Sequence, residues 1–225
     1  MTAPRIALIH ATPLAMQPVQ AAFERHWPQA LRMNLLDDSL SADRAREGRL
    51  ADAMVRRFVD LACYAQRTGC TGILFTCSAF GPAIEAAARA TALPTLKPNE
   101  AMFQQALGLA PPGRALRLAL VATFEASIAS LGNELRQLAQ ERGVPLDLRS
   151  AFVPQAMDEL AAGRAAEHHR MVAVAARAFA DADAVLLAQF SMAAAAPEAQ
   201  AALPCPVLSS PDCAVLALRQ TIGHA

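Results

Sequence analysis

Aromatic residues and net charge are both scarce in this sequence of 225 residues, and each shortage excludes a class of function. Aromatic side chains make up 5% of the chain, too few to suggest a surface for stacking bases, and 20 basic residues balance 20 acidic ones. A chain without a positive field does not gather phosphate backbones, so we expect no nucleic acid as a partner. Because 54% of the residues are apolar, the chain can bury a sizeable core and is globular rather than disordered.

Long apolar runs are missing as well. The first residues, MTAPRIALIHATP, lack the h-region of a signal peptide, and no uninterrupted apolar stretch approaches the length that crosses a bilayer. The five cysteines form no CxxC pair, and their odd number in a chain of this size favours free thiols. We therefore expect a soluble, cytoplasmic protein that does not contact a membrane.

Motifs for phosphate and metal binding do not occur either. The sequence contains neither G-x-G-x-x-G nor a P-loop. His168 and His169 are adjacent in a helical segment, so their side chains project about 100° apart, and no acidic or cysteine partner stands at ligand spacing. We predict no metal site.

Short apolar runs alternate with longer helical patterns, which is typical of parallel βαβ units. From Leu50 to Arg67, apolar residues recur at steps of three and four and predict an amphipathic helix that packs in the core. The segment MQPVQAAFERHW predicts a helix after the first strand. The predicted strands are RIALIHA, LRMNLL, GILFT, PTL, LALVA, PLDL, AVLLA and PVL.

An internal repeat with a constant offset of 112 positions indicates how these units are organised. It predicts an α/β fold of two similar Rossmann-like lobes, with parallel sheets related by pseudo-twofold symmetry and an active-site cleft between them. The first lobe would comprise residues 1–96 plus 209–225, and the second residues 97–208. The pairs in register are Ile6 with Leu118, Cys77 with Gln189, Pro94 with Pro206, and Glu100 with Asp212.

Small polar residues follow the predicted strands, where ligands of parallel sheets gather. Backbone N–H groups at Ser78 and Ala79, with nearby hydroxyls, suit a carboxylate. The alternative is that each Thr or Ser only caps the following helix. The predicted substrate-binding residues are His10, Thr12, Pro13, Thr76, Ser78, Ala79, Thr123, Phe124, Ser127, Phe190 and Ser191.

Cys77 is the candidate catalytic residue. A thiol at the start of a helix has its thiolate stabilised by unpaired N–H groups, which would lower its pKa toward neutrality and make it a usable base or nucleophile. Cys63, Cys70 and Cys205 fit inert, buried thiols. Cys213 lies in the final helix and could approach the cleft, but it ranks below Cys77.

Five segments resemble a known family, the aspartate/glutamate/hydantoin racemase superfamily, over the whole chain. FTCSAFG, around Cys77, is the most specific motif. The resemblance implies a cofactor-independent enzyme, active in amino acid metabolism, whose substrate is flanked by two thiols, one per lobe. It implies that Cys77 is one acid/base and that Ser78, Thr123 and Ser191 bind a carboxylate; members often dimerise, so a homodimer is an option. The segments are IALIHATP, FTCSAFGPAI, LVATFEASIAS, LLAQFSMA and VLSSPDCAV.

The sequence departs from this family where the second thiol should stand, because the mirror position is Gln189. A glutamine does not titrate in the useful range and cannot shuttle a proton. Cys77 could instead protonate the carbanion left by decarboxylation, as in relatives resembling arylmalonate decarboxylases, although their retained thiol belongs to the other lobe. Thiol addition to a double bond, as in maleate cis–trans isomerases, is another option. His10 could supply the missing acid/base group or be a hydrogen-bonded wall residue.

The segment DDSLSADRAREGR, between the second strand and the next helix, contains Arg44, Arg46 and Arg49. We interpret it as a solvated connector, the alternative being a lid that brings an arginine near a second carboxylate.

The resulting hypothesis is a racemase-family isomerase that uses Cys77 for proton transfer at carbon next to the carboxylate of a small acid or amino acid. The alternatives are a single-thiol decarboxylase, which is a lyase, and a catalytically degenerate protein that binds small carboxylates.

Overall fold

The computed structural model describes residues 3–223, and the chain divides into two compact units. One unit contains the residues up to Pro98 together with those from Ala214 onward, and the other is Asn99–Cys213. The sequence-based boundaries had been placed at residues 97 and 209. Each unit is built around a four-stranded sheet in which every pairing is parallel, and each of the eight predicted strands is present.

In the first unit, helices alternate along the chain with the four strands of one sheet. Short 3₁₀ helices lie at Pro13–Ala15 and Ser78–Phe80. The strands are β1 (Arg5–His10), β2 (Leu31–Leu36), β3 (Gly72–Phe75) and β4 (Thr95–Leu96), in the spatial order β2-β1-β3-β4. The helices are α1 (Met16–His26), α2 (Ser39–Glu47), α3 (Asp52–Arg67) and α4 (Gly81–Thr91).

The second unit repeats this plan. Short 3₁₀ helices lie at Arg177–Phe179 and Phe190–Ala195. The strands are β5 (Leu116–Ala122), β6 (Leu146–Phe152), β7 (Ala184–Leu187) and β8 (Val207–Ser209), in the order β6-β5-β7-β8. The helices are α5 (Glu100–Leu107), α6 (Glu125–Glu141), α7 (Ala156–Ala161), α8 (Ala165–Ala176), α9 (Ala196–Ala201) and α10 (Ser210–Gly223), the last of which continues into the first unit.

Strand pairing reproduces the sequence repeat residue by residue. Ile6 pairs with Gly72 in the first sheet, and Leu118 pairs with Ala184 in the second, so both partners shift by 112 positions. The pair Ile73 and Thr95 maps in the same way onto Val185 and Val207. A shared register is more than shared hydrophobicity, because a slip of one residue would turn every side chain to the other face. The structure therefore confirms two similar α/β units.

The predicted stripe of α3 packs in the core of the first unit. Its buried residues include Met54 and Phe58, one turn apart. Phe58 stacks on Phe75 of β3 at 5.3 Å between ring centroids and lies 4.8 Å from the ring of Phe80. Because Phe75 and Phe80 stand on either side of Cys77, this aromatic group also supports the loop that carries the thiol.

Phe58→Ala is expected to destabilise the first unit by about 3–5 kcal/mol, because a nearly fully buried ring would leave a cavity between two aromatic partners. Urea unfolding followed by circular dichroism measures the change. Tyr64→Ala is the matched control on the same helix. Because Tyr64 is 50% exposed, its replacement should lower the free energy of unfolding far less. Equal losses in the two variants would contradict the assignment of Phe58 to the core.

The interpretation of DDSLSADRAREGR as a connector was wrong, because α2 lies within it. The helix ends at Gly48, whose φ of 66° is the left-handed conformation that glycine adopts readily. Leu40 is fully buried in the first unit's core, and Arg57 of α3 forms ion pairs with Asp37 and Asp43 at 2.5 and 2.7 Å. The segment is thus a docked helix.

Within residues 3–223, none of the helices combines the length and the apolar character that a membrane crossing requires.

Candidate functional site

Cys77 lies just beyond β3, at the carboxyl edge of the first sheet. Its backbone is extended, with φ −124° and ψ 121°, and the 3₁₀ helix Ser78–Phe80 begins at the next residue. The residue is half-buried and packs against the core of the first unit. The loop after β3 therefore holds the thiol against the core of the first unit at the edge of the sheet.

The expected lowering of the Cys77 pKa was wrong. Burial raises the pKa of this thiol, although the hydrogen bonds from Ala79 and Ser41 act in the opposite direction. The helix that follows is a 3₁₀ segment of three residues, and α4 begins only at Gly81, so Cys77 does not stand at the N-terminus of an α-helix as expected. At neutral pH the side chain is a thiol, which suits it to give up a proton.

His10 is a wall residue of the first unit. It is fully buried, with Nε2 3.0 Å from Asn34 Oδ1 and Nδ1 2.9 Å from Thr76 Oγ1. Because the Asn34 oxygen only accepts, Nε2 donates to it, and in the neutral ring Nδ1 accepts from the Thr76 hydroxyl. Burial lowers the pKa of His10, which favours this neutral ring. His10 and Thr76 are therefore buried and hydrogen-bonded to each other, and neither is open to a ligand as predicted.

The other predicted residues of this edge differ in accessibility. Thr12 is half-buried and accepts from the N–H of Leu14 at 3.4 Å, as a helix cap does. Pro13 and Ala79 are exposed, and Ser78 is half-buried. Ser78 and Ala79, next to Cys77 in the chain, thus both have accessible surface.

Gln189 occupies the corresponding place in the second unit. It follows β7, its backbone is extended with φ −118° and ψ 149°, and the 3₁₀ helix Phe190–Ala195 begins at the next residue. Its side-chain oxygen accepts from the N–H and the hydroxyl of Thr123, at 3.0 and 3.3 Å, and its amide nitrogen donates to Ser127 Oγ at 2.7 Å. The amide is fixed in place, and the Thr123 donors predicted to bind a carboxylate already hold the Gln189 oxygen.

The remaining predicted residues of the second unit, Phe124, Phe190 and Ser191, differ in exposure. Phe124 is 59% exposed, an unusual position for a large apolar side chain, whereas Phe190 is 3% exposed and belongs to the core. Ser191 is half-buried, and its hydroxyl lies 4.0 Å from the sulfur of Met157. Phe190 is therefore unsuited to touch a ligand, while Phe124 and Ser191 retain accessible surface.

All five cysteines are free thiols. Cys213 is 6% exposed, and its sulfur donates to Gln105 Oε1 at 3.1 Å. Burial and the neighbouring Asp212 charge raise the pKa of Cys213 to about 12. This buried, hydrogen-bonded thiol is a poor acid/base, which agrees with its lower rank. Cys70 and Cys205 are also buried.

Sequence reasoning missed Ser41. Its hydroxyl donates to the carbonyl oxygen of Ala11 at 2.7 Å, and a hydrogen bond from Ser41 is one of the causes that lower the pKa of Cys77 against the effect of burial. The position of Ser41 depends on the docking of α2, whose start is tied to the end of β1 by the hydrogen bond from Asp37 N to His10 O at 3.0 Å. A short polar helix gives little periodic signal, so the sequence did not place Ser41 at the site.

His168 is a buried side chain whose two ring nitrogens both lack a hydrogen-bond partner in the described part of the chain. It lies in the first turn of α8 and is fully buried. Burial, together with the neighbouring His169, lowers the pKa of His168 to about 4. In the described part of the chain, no group of three or more His, Cys, Asp or Glu side chains is placed to hold a metal ion.

His168→Leu is expected to flatten the pH dependence of stability. The folded state keeps the ring neutral, so between about pH 6.5 and pH 4 the unfolded state binds more protons, and stability falls as the pH falls. The loss should approach about 2–3 kcal/mol in the wild type. Urea unfolding across this pH range measures it. His169→Leu is the control, and a wild-type slope that persists in His168→Leu would refute the assignment.

The fold of two matched α/β units, with Cys77 and Gln189 at equivalent positions, is similar to the folds of several solved proteins. A glutamate racemase, isoform RacE1 from Bacillus anthracis, matches with a TM-score of 0.70 and 14% identity over 100% of this chain and 83% of that one. An allantoin racemase from Klebsiella pneumoniae matches with a TM-score of 0.70 and 18% identity, over 99% and 89%. Unliganded arylmalonate decarboxylase matches with a TM-score of 0.61 and 21% identity, over 98% of this chain and 93% of that one.

A duplicated α/β fold with chemistry-bearing residues after the third strand of each unit defines the class. The model of the Asp/Glu/Hydantoin racemase family matches residues 8–218, and the chain belongs to that family. It is a family of racemases and related enzymes, which supports an enzymatic role. A comparison with curated protein sequences finds no match.

Proposed function

We propose that this protein is a cofactor-independent enzyme with a single catalytic thiol, in which Cys77 donates a proton to one face of a carbon next to a carboxylate. The observation that carries the proposal is the difference between two equivalent positions. Cys77 holds a titratable thiol, whereas Gln189, 112 positions later in the same backbone setting, holds an amide fixed by Thr123 and Ser127. One acid/base group serves one face of a substrate carbon.

The environment of Cys77 favours a proton donor over a base. Burial raises the pKa of the thiol, so the proton is present at neutral pH and no other group is needed to load it. A racemase needs a thiolate base on one side and a thiol acid on the other, and Gln189 can be neither. The reaction must therefore create the carbanion by breaking a bond other than C–H.

Decarboxylation of a substituted malonate meets this requirement. Cleavage of the bond to one carboxyl group releases CO₂ and leaves its electron pair on the α-carbon, delocalised into the remaining carboxylate. The S–H bond of Cys77 then breaks, its proton forms the new C–H bond, and the thiolate takes a proton from water. The hydroxyl and the backbone N–H of half-buried Ser78, next to the thiol in the chain, would bind the retained carboxylate.

The test is a panel of substituted malonates, amino acids, hydantoins and maleate incubated with the protein in D₂O. NMR follows CO₂ loss, deuterium uptake at the α-carbon and isomerisation in the wild type and in Cys77→Ala. Cys63→Ala is the matched control, because Cys63 is a half-buried thiol of the same unit. We expect CO₂ loss with deuterium uptake from a malonate, absent in Cys77→Ala and retained in Cys63→Ala.

Two outcomes would contradict the proposal. Interconversion of amino-acid or hydantoin enantiomers by the wild type would show that a second acid/base acts. Ligand-induced thermal stabilisation without turnover of any compound would favour a carboxylate-binding protein, for which the fixed amide of Gln189 is the supporting observation.

A further inference from the structure

A buried polar pair stands directly before the thiol in the first unit. His10 is fully buried at the end of β1, and Thr76, the residue before Cys77, is 5% exposed. Thr76 Oγ1 lies 2.9 Å from His10 Nδ1, and the Thr76 N–H donates to the carbonyl oxygen of Ile9 at 3.1 Å. Thr76 is therefore held at two points, one on its backbone and one on its side chain.

The direction of the hydrogen bond between the two side chains follows from a third residue, Asn34. Its Oδ1 accepts from His10 Nε2 at 3.0 Å and from Gln20 Nε2 at 3.1 Å. Because this oxygen carries no proton, His10 Nε2 holds the hydrogen of the neutral ring, and Nδ1 is left as an acceptor. The Thr76 hydroxyl therefore donates to His10.

The second unit has alanines at the two equivalent positions. The repeat of 112 positions places Ala122 where the first unit has His10, and Ala188 where it has Thr76. The backbone contact is the same in both units, because Ala188 N donates to the carbonyl oxygen of Val121 at 3.0 Å. The strand edge thus forms without a polar pair, so the fold alone does not require one. The pair occurs in the unit where the next residue is a thiol.

We propose that His10 and Thr76 are positioning residues for Cys77, fixing the chain direction at the residue before the thiol. Cys77 has an extended backbone, in which successive side chains point to opposite sides, so the anchored Thr76 side chain sets the direction of the next one. The S–H bond is then presented in one geometry. Its role in proton transfer rests on the proposed function, whereas the effect on the position of the sulfur does not.

Thr76→Val tests the pair, because valine keeps the branched shape of threonine and removes the hydroxyl. The measurement is the rate of Cys77 alkylation by iodoacetamide at one alkaline pH, with peptide-resolved mass spectrometry to separate this thiol from the other cysteines. We expect Thr76→Val to raise the rate by about three- to tenfold, the factor that one neutral hydrogen bond is worth, since a released loop exposes the sulfur more often. Thr76→Ser keeps the hydroxyl and should restore the wild-type rate.

A double-mutant cycle tests whether the two residues act together. His10→Ala supplies the residue that the second unit has at the equivalent position. If Thr76 acts on Cys77 through its bond to His10, combining His10→Ala with Thr76→Val should raise the alkylation rate no further than Thr76→Val alone. Effects that multiply independently would contradict a joint role.

Thr91→Val is the matched control. Thr91 is another buried threonine of the first unit, 4% exposed, and its hydroxyl donates to the Ala87 carbonyl oxygen within α4 at 3.1 Å. Its replacement should leave Cys77 alkylation unchanged. A wild-type rate in Thr76→Val, or an equal increase in Thr91→Val, would overturn the inference.

The enantiomeric excess of the product from an unsymmetrical malonate separates this inference from the proposed function. Thr76→Val should lower the excess and Thr91→Val should not, and an unchanged excess in Thr76→Val would overturn the role in proton delivery. Because alkylation needs no substrate, a faster rate in Thr76→Val in a protein without turnover would count against the proposed function alone.

Discussion

Cys77→Ser is expected to lower the rate of proton transfer by about 10²–10⁴-fold, the contribution of a positioned general acid. Serine keeps the shape of the side chain and its packing against the core of the first unit, but its hydroxyl gives up a proton far less readily than a thiol. The change therefore removes the chemistry and leaves the packing. Initial rates of CO₂ release from the best malonate of the panel measure it.

Cys63→Ser controls for the loss of a thiol as such. Cys63 lies on α3, so its replacement should leave the rate close to that of the wild type. Both variants should unfold at nearly the wild-type urea concentration. An active Cys77→Ser enzyme would place the proton donor elsewhere.

Gln189→Cys is expected to create racemase activity, at least about 10²-fold above the wild-type background. Positions 77 and 189 share an extended backbone immediately before a 3₁₀ helix, so a thiol at 189 would repeat the setting of Cys77. The change also frees the N–H and hydroxyl of Thr123, which now hold the glutamine oxygen. The variant would have one thiol in each unit, at positions 77 and 189.

Chiral chromatography of single amino-acid and hydantoin enantiomers, incubated in D₂O, measures this gain. Gln189→Ser is the control, because it breaks the same amide network without adding a group that titrates near neutrality. Equal interconversion in both variants would show that the freed Thr123 donors, rather than the second thiol, produce the effect.

Sequence reasoning located the fold well because the fold follows periodic patterns. The central strands of both sheets are continuous apolar runs, and a duplication in constant register fixed which strands correspond. The pairing of Leu118 with Ala184 is the pairing of Ile6 with Gly72 shifted by the repeat of 112 positions. The short helix α2 escaped because a single buried residue, Leu40, anchors it.

The site was predicted less completely than the fold. Cys77 and Gln189 fall at equivalent strand ends, as the repeat predicts, but their environments depend on side chains from elsewhere. The fixed amide of Gln189 requires Thr123 and Ser127, and the state of Cys77 depends on burial and on Ser41. Burial raises the pKa of the Cys77 thiol by more than the local hydrogen bonds lower it. The spacing of residues in the sequence does not show which of these two effects is larger.

The most direct test of a single catalytic thiol is the enantiomeric composition of the product from a malonate with two different substituents. A proton delivered by Cys77 reaches one face of the carbanion, so the account predicts one enantiomer in excess, with that excess unchanged in Cys63→Ser. Chiral chromatography of the product settles the question. A racemic product from the wild-type enzyme, or an undiminished rate in Cys77→Ser, would contradict the account.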